Sequence, residues 1–209
     1  MMDIALARHW VEALAAAVDA HQERLTQLDS AIGDADHGAN MHRGLTAVLA
    51  AQTSYRPESV GQLLVEVGTT LISSVGGASG PLYGTAFRAT GQALPAADPD
   101  AAELLTALRA GLDAVRELGA AAPGDKTMVD AFLPALDAFE EELRAGGDLA
   151  AAAARAAVAA EEGARATVPL QARKGRASYL GPRSIGHQDP GATSTALLFG
   201  ALAEAAAAR

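Results

Sequence analysis

The chain has 209 residues, of which 50% are hydrophobic, 20% charged and 4% aromatic, and its formal net charge is -9. So acidic a protein is poorly suited to nonspecific nucleic-acid binding or to anionic membranes, because both require lysine and arginine. The chain has no cysteine, which excludes disulfides, thiolate metal sites and cysteine nucleophiles. It also lacks the roughly 18 consecutive apolar residues of a membrane span and the basic start of a signal peptide. We therefore expect a cytoplasmic protein with a single domain over residues 1–209.

Apolar residues recur with a helical period through most of the chain, and abundant alanine favours helices over strands. No run alternates apolar and polar residues long enough to predict a strand. The sequence therefore predicts an all-α bundle of about eight helices. In chain order the patterns cover residues 4–28, 41–49, 63–71, 82 to about 94, 104–115, 132–143, an alanine-rich stretch from about 149, and 191 to about 208.

The connections between these helices are short, with one exception. We predict a turn at Gly76–Pro81, a surface loop at Pro95–Asp100, and a helix N-cap at Asp125. From Pro169 to Pro190 the periodicity disappears over about 20 residues, longer than a compact domain usually leaves irregular. At its end, Asp189 and Pro190 are typical of an N-cap followed by a first-turn proline. Irregular segments of this length are commonly functional.

Three carboxylates, Asp29, Asp34 and Asp36, lie within eight positions, with Gly33 and Gly38 beside them. Like charges held so close repel, so a divalent cation with a preference for oxygen ligands, such as Mg²⁺, is the natural partner. The spacing does not fit an EF-hand, because the fifth and twelfth positions counted from Asp34 are a glycine and a leucine. A helix that begins near Gly38 would direct its free amides at a phosphate bound to the same metal.

Three further segments have candidate binding groups. Ser73–Pro81 is glycine-rich and fits an anion nest at a helix start or a tight turn between helices. No strand precedes Ser73–Pro81, so this segment is not a Rossmann turn. The second segment, Pro123–Met128, lacks the spacing of a P-loop. In Gln171–Gly181 three of the chain's sixteen basic residues fall within four positions. From the residues alone, the sequence indicates a Mg-phosphate or Mg-nucleotide site on a helical bundle.

Taken together and in this order, the motifs resemble the nucleotide-binding L subunits of dihydroxyacetone kinases. The match is carried by residues 32–38, 73–80, 123–128, 171–180 and 184–192, with Ala35 where the family more often has glycine. The resemblance implies an antiparallel barrel of eight helices with the nucleotide at one end. It also implies that the three aspartates are catalytic, through two Mg²⁺ ions that they bind. The residues implied at the nucleotide are His37, Gly38, Asn40, Ala78, Ser79, Gly119, Met128, Arg176, Asp189 and Gly191.

The same resemblance implies a phosphotransferase that works only with partners. In the phosphoenolpyruvate-dependent type, bound ADP accepts phosphate from an M-type phosphotransfer protein and passes it to dihydroxyacetone on a separate K subunit. Two alternatives stay open: an ATP-dependent kinase subunit for a small ketose or sugar acid, and a regulatory role through a transcription regulator. A homodimer is also expected.

Overall fold

The computed structural model describes residues 1–94 and 97–208; Pro95 and Ala96 of the predicted surface loop lie outside the described residues. Within the described residues the chain forms helices and no strand, as the all-α prediction requires. None of these described helices is both long and apolar enough to cross a membrane. The helices are α1 (Ile4–Ala20), α2 (Gln22–Ile32), α3 (His37–Gln52), α4 (Val60–Ser74), α5 (Ser79–Ala93), α6 (Ala101–Gly119), α7 (Val129–Arg144), α8 (Leu149–Ala166), a 3₁₀ segment (Arg176–Ser184) and α9 (Pro190–Ala207).

Eight of the helices close into a ring. From α3 to α9 each helix packs against the next, α9 packs against α1, and α1 packs against α3. The short helix α2 lies outside this cycle and packs on α3, α9 and the 3₁₀ segment. The starts of α3, α5, α7 and α9 and the ends of α2 and α6 all line one cavity, so successive helices of the ring run in opposite directions. The expected barrel of about eight helices is confirmed.

The apolar core fills the inside of this ring. Trp10 of α1 is buried and donates its indole N–H to the carbonyl of Leu198 in α9 over 3.0 Å. Phe132 of α7 meets Phe199 of α9 edge to face, with ring centroids 5.2 Å apart. Fully buried alanines of α8, among them Ala152 and Ala156, let α8 pack between α7 and α9. Small residues on these helices explain how a chain with few aromatic residues builds a dense core.

The prediction of one helix over residues 4–28 was wrong. The chain breaks at His21, which ends α1 and precedes α2, and whose Nδ1 lies 2.8 Å from the carbonyl oxygen of Ala17. Val18 and Leu25 are both buried on either side of the break. Because the seven-residue apolar spacing continues across the bend, periodicity alone could not reveal it.

The predicted N-cap at Asp125 was also wrong. Helix α7 begins at Val129, and the carboxylate of Asp125 accepts a hydrogen bond from the amide of Ala122 instead. Asp130, inside the first turn of α7, accepts from the amides of Gly124 and Thr127. Lys126 has a φ of 63°, a left-handed conformation that delays the helix. The N-cap predicted at Asp189 is present, with its Oδ2 2.7 Å from the amide of Ala192.

Candidate functional site

A cavity of about 430 Å³ lies at the end of the barrel where four helices begin. Because the first amides of a helix have no partner within it and its dipole is positive there, four such ends favour an anionic ligand. The lining also includes a set of apolar side chains, here called the apolar wall, from Ile32, Leu82, Val115, Leu118 and Met128. The four helix starts are here called the floor of the cavity. The cavity therefore combines a floor that favours anions with an apolar wall.

The loop between α2 and α3, residues 33–36, is here called the acidic loop. Asp29 holds this loop in place through hydrogen bonds with the backbone. It lies in the last turn of α2 and its side chain is buried. Its Oδ2 accepts hydrogen bonds from the amides of Asp36 and His37, over 2.8 and 3.1 Å. The first amides of α3 are thus satisfied by an aspartate seven or eight positions earlier. This arrangement fixes the loop between α2 and α3 in place.

The carboxylates of Asp29, Asp34 and Asp36 form one cluster. One oxygen from each lies within 4.8 Å of the others. A set of three carboxylate oxygens suits hard cations such as Mg²⁺, which binds through one or two carboxylates together with phosphate oxygens. The donor chemistry of the cluster fits a magnesium site.

Two backbone positions let the loop close so tightly. A Cβ at Gly33 would lie 2.0 Å from Oδ1 of Asp29, so a side chain there would displace the aspartate. Ala35 has a φ of 62°, in the left-handed region. That conformation explains why glycine suits this position, since glycine adopts it without the steric strain that a Cβ brings.

The irregular segment reaches back over the acidic loop. Arg176, the first residue of the 3₁₀ segment, places its Nε 2.7 Å from Oδ2 of Asp34. The guanidinium brings positive charge to a cluster of three carboxylates. Lys174 and Gly175 also line the cavity, so the basic stretch singled out in the sequence forms one of its sides.

The glycine-rich turn before α5 also lines the cavity, through Gly77 and Ala78. Gly77 has a φ of 66°, and α5 begins at Ser79 without a side-chain cap from its N-cap residue Ala78. Arg43 donates to Oδ1 of Asn40 over 2.6 Å and to the carbonyl of Ser74 over 3.3 Å. This pair holds the turn from beneath, and the first amides of α5 are left for a ligand.

His37 lies buried between two serine hydroxyls. Its Nδ1 is 2.9 Å from Oγ of Ser79 and its Nε2 is 2.8 Å from Oγ of Ser194. Burial lowers the pKa of His37 below its usual value, although Asp29 and Asp36 act in the opposite direction. The ring is therefore neutral at neutral pH.

Lys126 holds segments of the site together and does not offer a free ammonium group to a ligand. Its side chain is buried, and its ammonium donates to the carbonyls of Thr167, Leu170 and His187. All three of its protons are used in this way, so Lys126 is not a free phosphate ligand. It fastens the irregular segment to the loop before α7.

Asp189 is a buried carboxyl at the start of α9. Burial raises the pKa of Asp189 from 3.8 to about 7, whereas its hydrogen bond from Ala192 and the charge of Lys126 lower it. Near pH 7 this group therefore changes its charge beside the cavity, unlike an ordinary surface aspartate.

The structure brings most of the sequence-predicted residues to one place. Gly38 and Asn40 are not among the residues that line the cavity: a Cβ at Gly38 would lie 2.2 Å from the carbonyl of Gln22, and Asn40 lies under the glycine turn. Their contacts with a ligand stay predictions, as do those of the rest. Lining the cavity are the three aspartates together with His37, Ala78, Ser79, Gly119, Met128, Arg176, Asp189 and Gly191.

Sequence reasoning missed the apolar wall, apart from Met128, and the groups beneath the floor. Leu82 and Leu118 follow the same helical period as core residues, so nothing in the sequence marks them as lining residues. Tyr83 and Ser194, hydrogen-bonded to each other over 2.7 Å, lie in α5 and α9 just beyond the motif residues at the starts of these helices. Only the fold places them next to His37.

Comparison with known proteins finds a family match along most of the chain. The model of the DAK2 domain matches residues 31–204. The chain is 44% identical to the PEP-dependent dihydroxyacetone kinase, ADP-binding subunit DhaL, of Escherichia coli, over 95% of both chains. It is 42% identical to the ADP-binding subunit DhaL of PEP-dependent dihydroxyacetone kinase 1 of Listeria innocua, over 94% of this chain and 93% of the other.

A solved structure shares the fold. The dihydroxyacetone kinase from C. freundii in complex with AMP-PNP and Mg²⁺ superposes with a TM-score of 0.74 at 28% identity. The match covers 98% of this chain but 34% of that longer one. With a family match over most of its length and relatives of the same size, this chain belongs to the DAK2 domain family, as a relative of the DhaL subunits.

Proposed function

We propose that this chain is the ADP-binding subunit of a phosphoenolpyruvate-dependent dihydroxyacetone kinase. The observation that supports this most is the cluster of Asp29, Asp34 and Asp36 at a cavity where four helices begin. A hard-cation site beside unpaired helix amides is what a magnesium-bound diphosphate requires. The relatives that share almost the full length are named ADP-binding subunits.

The nucleotide is proposed to lie with its phosphates at the acidic loop and the start of α5. Ser79 and the first amides of α5 would bind the phosphate oxygens, and Arg176 would lie beside them. The base would lie against the apolar wall between Leu118 and Met128. Asp29, Asp34 and Asp36 would hold two Mg²⁺ ions, which when bound neutralise charge on the phosphates and align the transferred group.

The chain's own residues would then position a relay. ADP in the cavity accepts a phosphoryl group from an M-type phosphotransfer protein, forming ATP. The γ-phosphoryl group next passes to a hydroxyl of dihydroxyacetone on a K subunit, which gives dihydroxyacetone phosphate and restores ADP. In this proposal the three aspartates act through metal and His37 through its hydrogen bonds, and no residue of this chain carries the phosphate covalently. The partners, a homodimer and a cytoplasmic setting belong to this proposal.

An ATP-dependent kinase subunit is the second candidate. It is favoured by the C. freundii kinase, whose complex contains AMP-PNP, an ATP analogue, and whose chain is about three times as long as the matched part. In that case ATP exchanges with solvent, and a small ketose or sugar acid on a partner accepts the phosphate. A regulatory role, in which the subunit contacts a transcription regulator, would be additional to either reaction.

The test begins with the nucleotide that the purified protein retains. Denaturation followed by chromatography should release ADP, and addition of K and M-type subunits with the phosphoenolpyruvate system should then phosphorylate dihydroxyacetone. Turnover with free ATP and K alone would favour the second candidate. A protein that retains no nucleotide and binds neither MgADP nor MgATP would refute both. The Asp34→Asn variant should lose phosphotransfer in either case, and any regulator that still binds it would support the additional role.

A further inference from the structure

A line of buried hydrogen bonds connects α9 to the start of α5 beneath the cavity. The hydroxyl of Tyr83 lies 2.7 Å from Oγ of Ser194, and that oxygen lies 2.8 Å from Nε2 of His37. On the other side of the ring, Nδ1 lies 2.9 Å from Oγ of Ser79. Ser79 lines the cavity at the uncapped start of α5. The line therefore ends at a hydroxyl that a ligand can meet.

The protons along this line of hydrogen bonds can be arranged in two ways, which differ in which group donates to which. An imidazole with one proton has one donor and one acceptor nitrogen. If Nδ1 has the proton, it donates to Ser79, whose own proton then points into the cavity. If Nε2 has the proton, Ser79 must donate to Nδ1, and only its lone pairs face the cavity. An anion such as a phosphate oxygen is bound in the first arrangement and repelled in the second.

The surroundings of Tyr83 favour the first direction. Thr195 donates to the carbonyl of Gly191 over 2.9 Å, so that carbonyl already has a donor. The hydroxyl of Tyr83 is nearer to Ser194, at 2.7 Å, than to Thr195 or to the Gly191 carbonyl, at 3.0 and 3.2 Å. A Ser194 that accepts from Tyr83 keeps its own proton for Nε2 of His37, which is closer than the carbonyls of Pro190 and Gly191, both at 3.1 Å.

We propose that Tyr83 and Ser194 are positioning residues that hold His37 in its Nδ1–H tautomer and thereby turn the hydroxyl proton of Ser79 toward a bound phosphate. The proposal deepens the function proposed above and rests on it for the identity of the anion. The order of donation is Tyr83 to Ser194, Ser194 to His37, His37 to Ser79, and Ser79 to the ligand. No proton is transferred along the line; its direction alone is set.

The direct test is the protonation pattern of the His37 ring. The full-length chain labelled with ¹⁵N-histidine is studied by NMR at neutral pH, free and with MgADP, and the His37 signals are assigned by their loss in His37→Gln. We expect the proton on Nδ1 in the unsubstituted protein, and a shift toward Nε2–H in Tyr83→Phe and Ser194→Ala. A proton on Nε2 in the unsubstituted protein, or an unchanged ring in both variants, would overturn the proposal.

Binding gives a second, independent measurement. Losing one hydrogen bond to a phosphate oxygen should raise the Kd for MgADP about 3- to 10-fold in Tyr83→Phe and Ser194→Ala. The matched control is Tyr55→Phe, which also loses a tyrosine hydroxyl that is hydrogen-bonded to a threonine, Thr70, but does not line the cavity. Its Kd should stay within about twofold of the unsubstituted value. An equal loss in all three variants would show a general packing effect and overturn the proposal.

The two proposals fail separately. If the unsubstituted protein binds no MgADP, the proposed function fails, whereas the tautomer measurement still decides the direction of the line. If MgADP binds normally and the His37 ring does not respond to Tyr83→Phe, the positioning role fails and the proposed function stands. Circular dichroism of each variant ensures that a lost signal does not come from unfolding.

Discussion

At the scale of single residues, Asp29 combines two tasks. One carboxylate oxygen holds the amides of Asp36 and His37, and the residue also belongs to the acidic cluster. Asp34 is paired with Arg176. Asp36 therefore offers the cleanest way to change the charge of the cluster without removing a bond that shapes the loop.

We predict that Asp36→Asn separates metal binding from folding. Without metal, one fewer like charge should leave the melting temperature equal or slightly higher. The added stability from MgADP should almost vanish, because Asp36 is proposed as a metal ligand and its loss should lower affinity by at least the roughly 10- to 100-fold that losing an outer-shell partner costs. Thermal melts with and without MgADP measure both effects. Asp113→Asn, an exposed residue of α6 paired with Arg116, should leave both unchanged; an equal loss there would contradict the prediction.

Asp189 predicts a pH dependence of stability. Its pKa is raised on folding from 3.8 to about 7, so between these values the native state keeps a proton that the unfolded state has lost. The contribution of Asp189 is therefore complete below about pH 4 and is lost as the pH rises toward 7, by at most about 1.4 kcal/mol per pH unit.

Replacement of Asp189 by asparagine should remove this slope and keep the N-cap, since asparagine also accepts from a helix amide. Urea unfolding between pH 4 and 8 measures the difference in the free energy of unfolding between the two proteins. The contributions of the other carboxylates are the same in both proteins and cancel in this difference. We expect the variant to gain stability relative to the parent as the pH rises from 4 to 7. A constant difference would show that Asp189 titrates normally.

At the scale of helices and loops, Lys126 decides whether the irregular segment stays in place. Lys126→Met should remove the ammonium donor from the carbonyls of Thr167, Leu170 and His187, of which Thr167 keeps the amide of Leu170, at a cost of about 3 kcal/mol in the free energy of unfolding. Trypsin should then cut faster after Arg173 and Arg176. Lys174→Met, the same substitution at the cavity rim, should leave stability within about 0.5 kcal/mol. Unchanged cleavage in Lys126→Met would contradict the fastening role.

Two helical glycines, one packed tightly and one facing open space, should respond in opposite ways to substitution by alanine. A Cβ at Gly38 would meet the carbonyl of Gln22 at 2.2 Å and Oγ1 of Thr26 at 2.5 Å. Gly38→Ala should therefore lower stability by about 1–3 kcal/mol. Gly200→Ala in α9, where a Cβ meets no described atom within 4 Å, should raise it by about 0.5–1 kcal/mol. Chemical denaturation measures both, and equal changes would refute the packing argument.

The sequence predicted the helical segments and the acidic loop because both are local. A 3.6-residue period marks a buried helix face, and three aspartates around glycines mark a charge that needs compensation. The break at His21 left no trace because the apolar spacing runs through it, and the start of α7 was misplaced because Lys126 adopts a left-handed conformation. Tyr83, Ser194 and the apolar wall come together only through contacts between distant helices, which no single-sequence pattern encodes.

At the scale of the whole molecule, one apolar cluster includes buried residues from all nine described α-helices. Trp10, the single tryptophan, belongs to this cluster. We predict that unfolding in urea, followed by tryptophan fluorescence and by circular dichroism, gives the same midpoint, because α1 cannot leave the ring without opening the core. MgADP should raise both midpoints equally. An earlier fluorescence transition would show that α1 detaches on its own.

The convergence of four helix starts on the cavity bears on how such a site can evolve. Backbone amides have no side chain that a point mutation could replace, so the floor of the cavity is protected from most substitutions. Substitutions that change which ligand is preferred are therefore expected on the apolar wall, at side chains such as those of Leu82, Leu118 and Met128. A designer who wishes to alter which nucleotide is accepted should vary these three positions and leave the loops untouched.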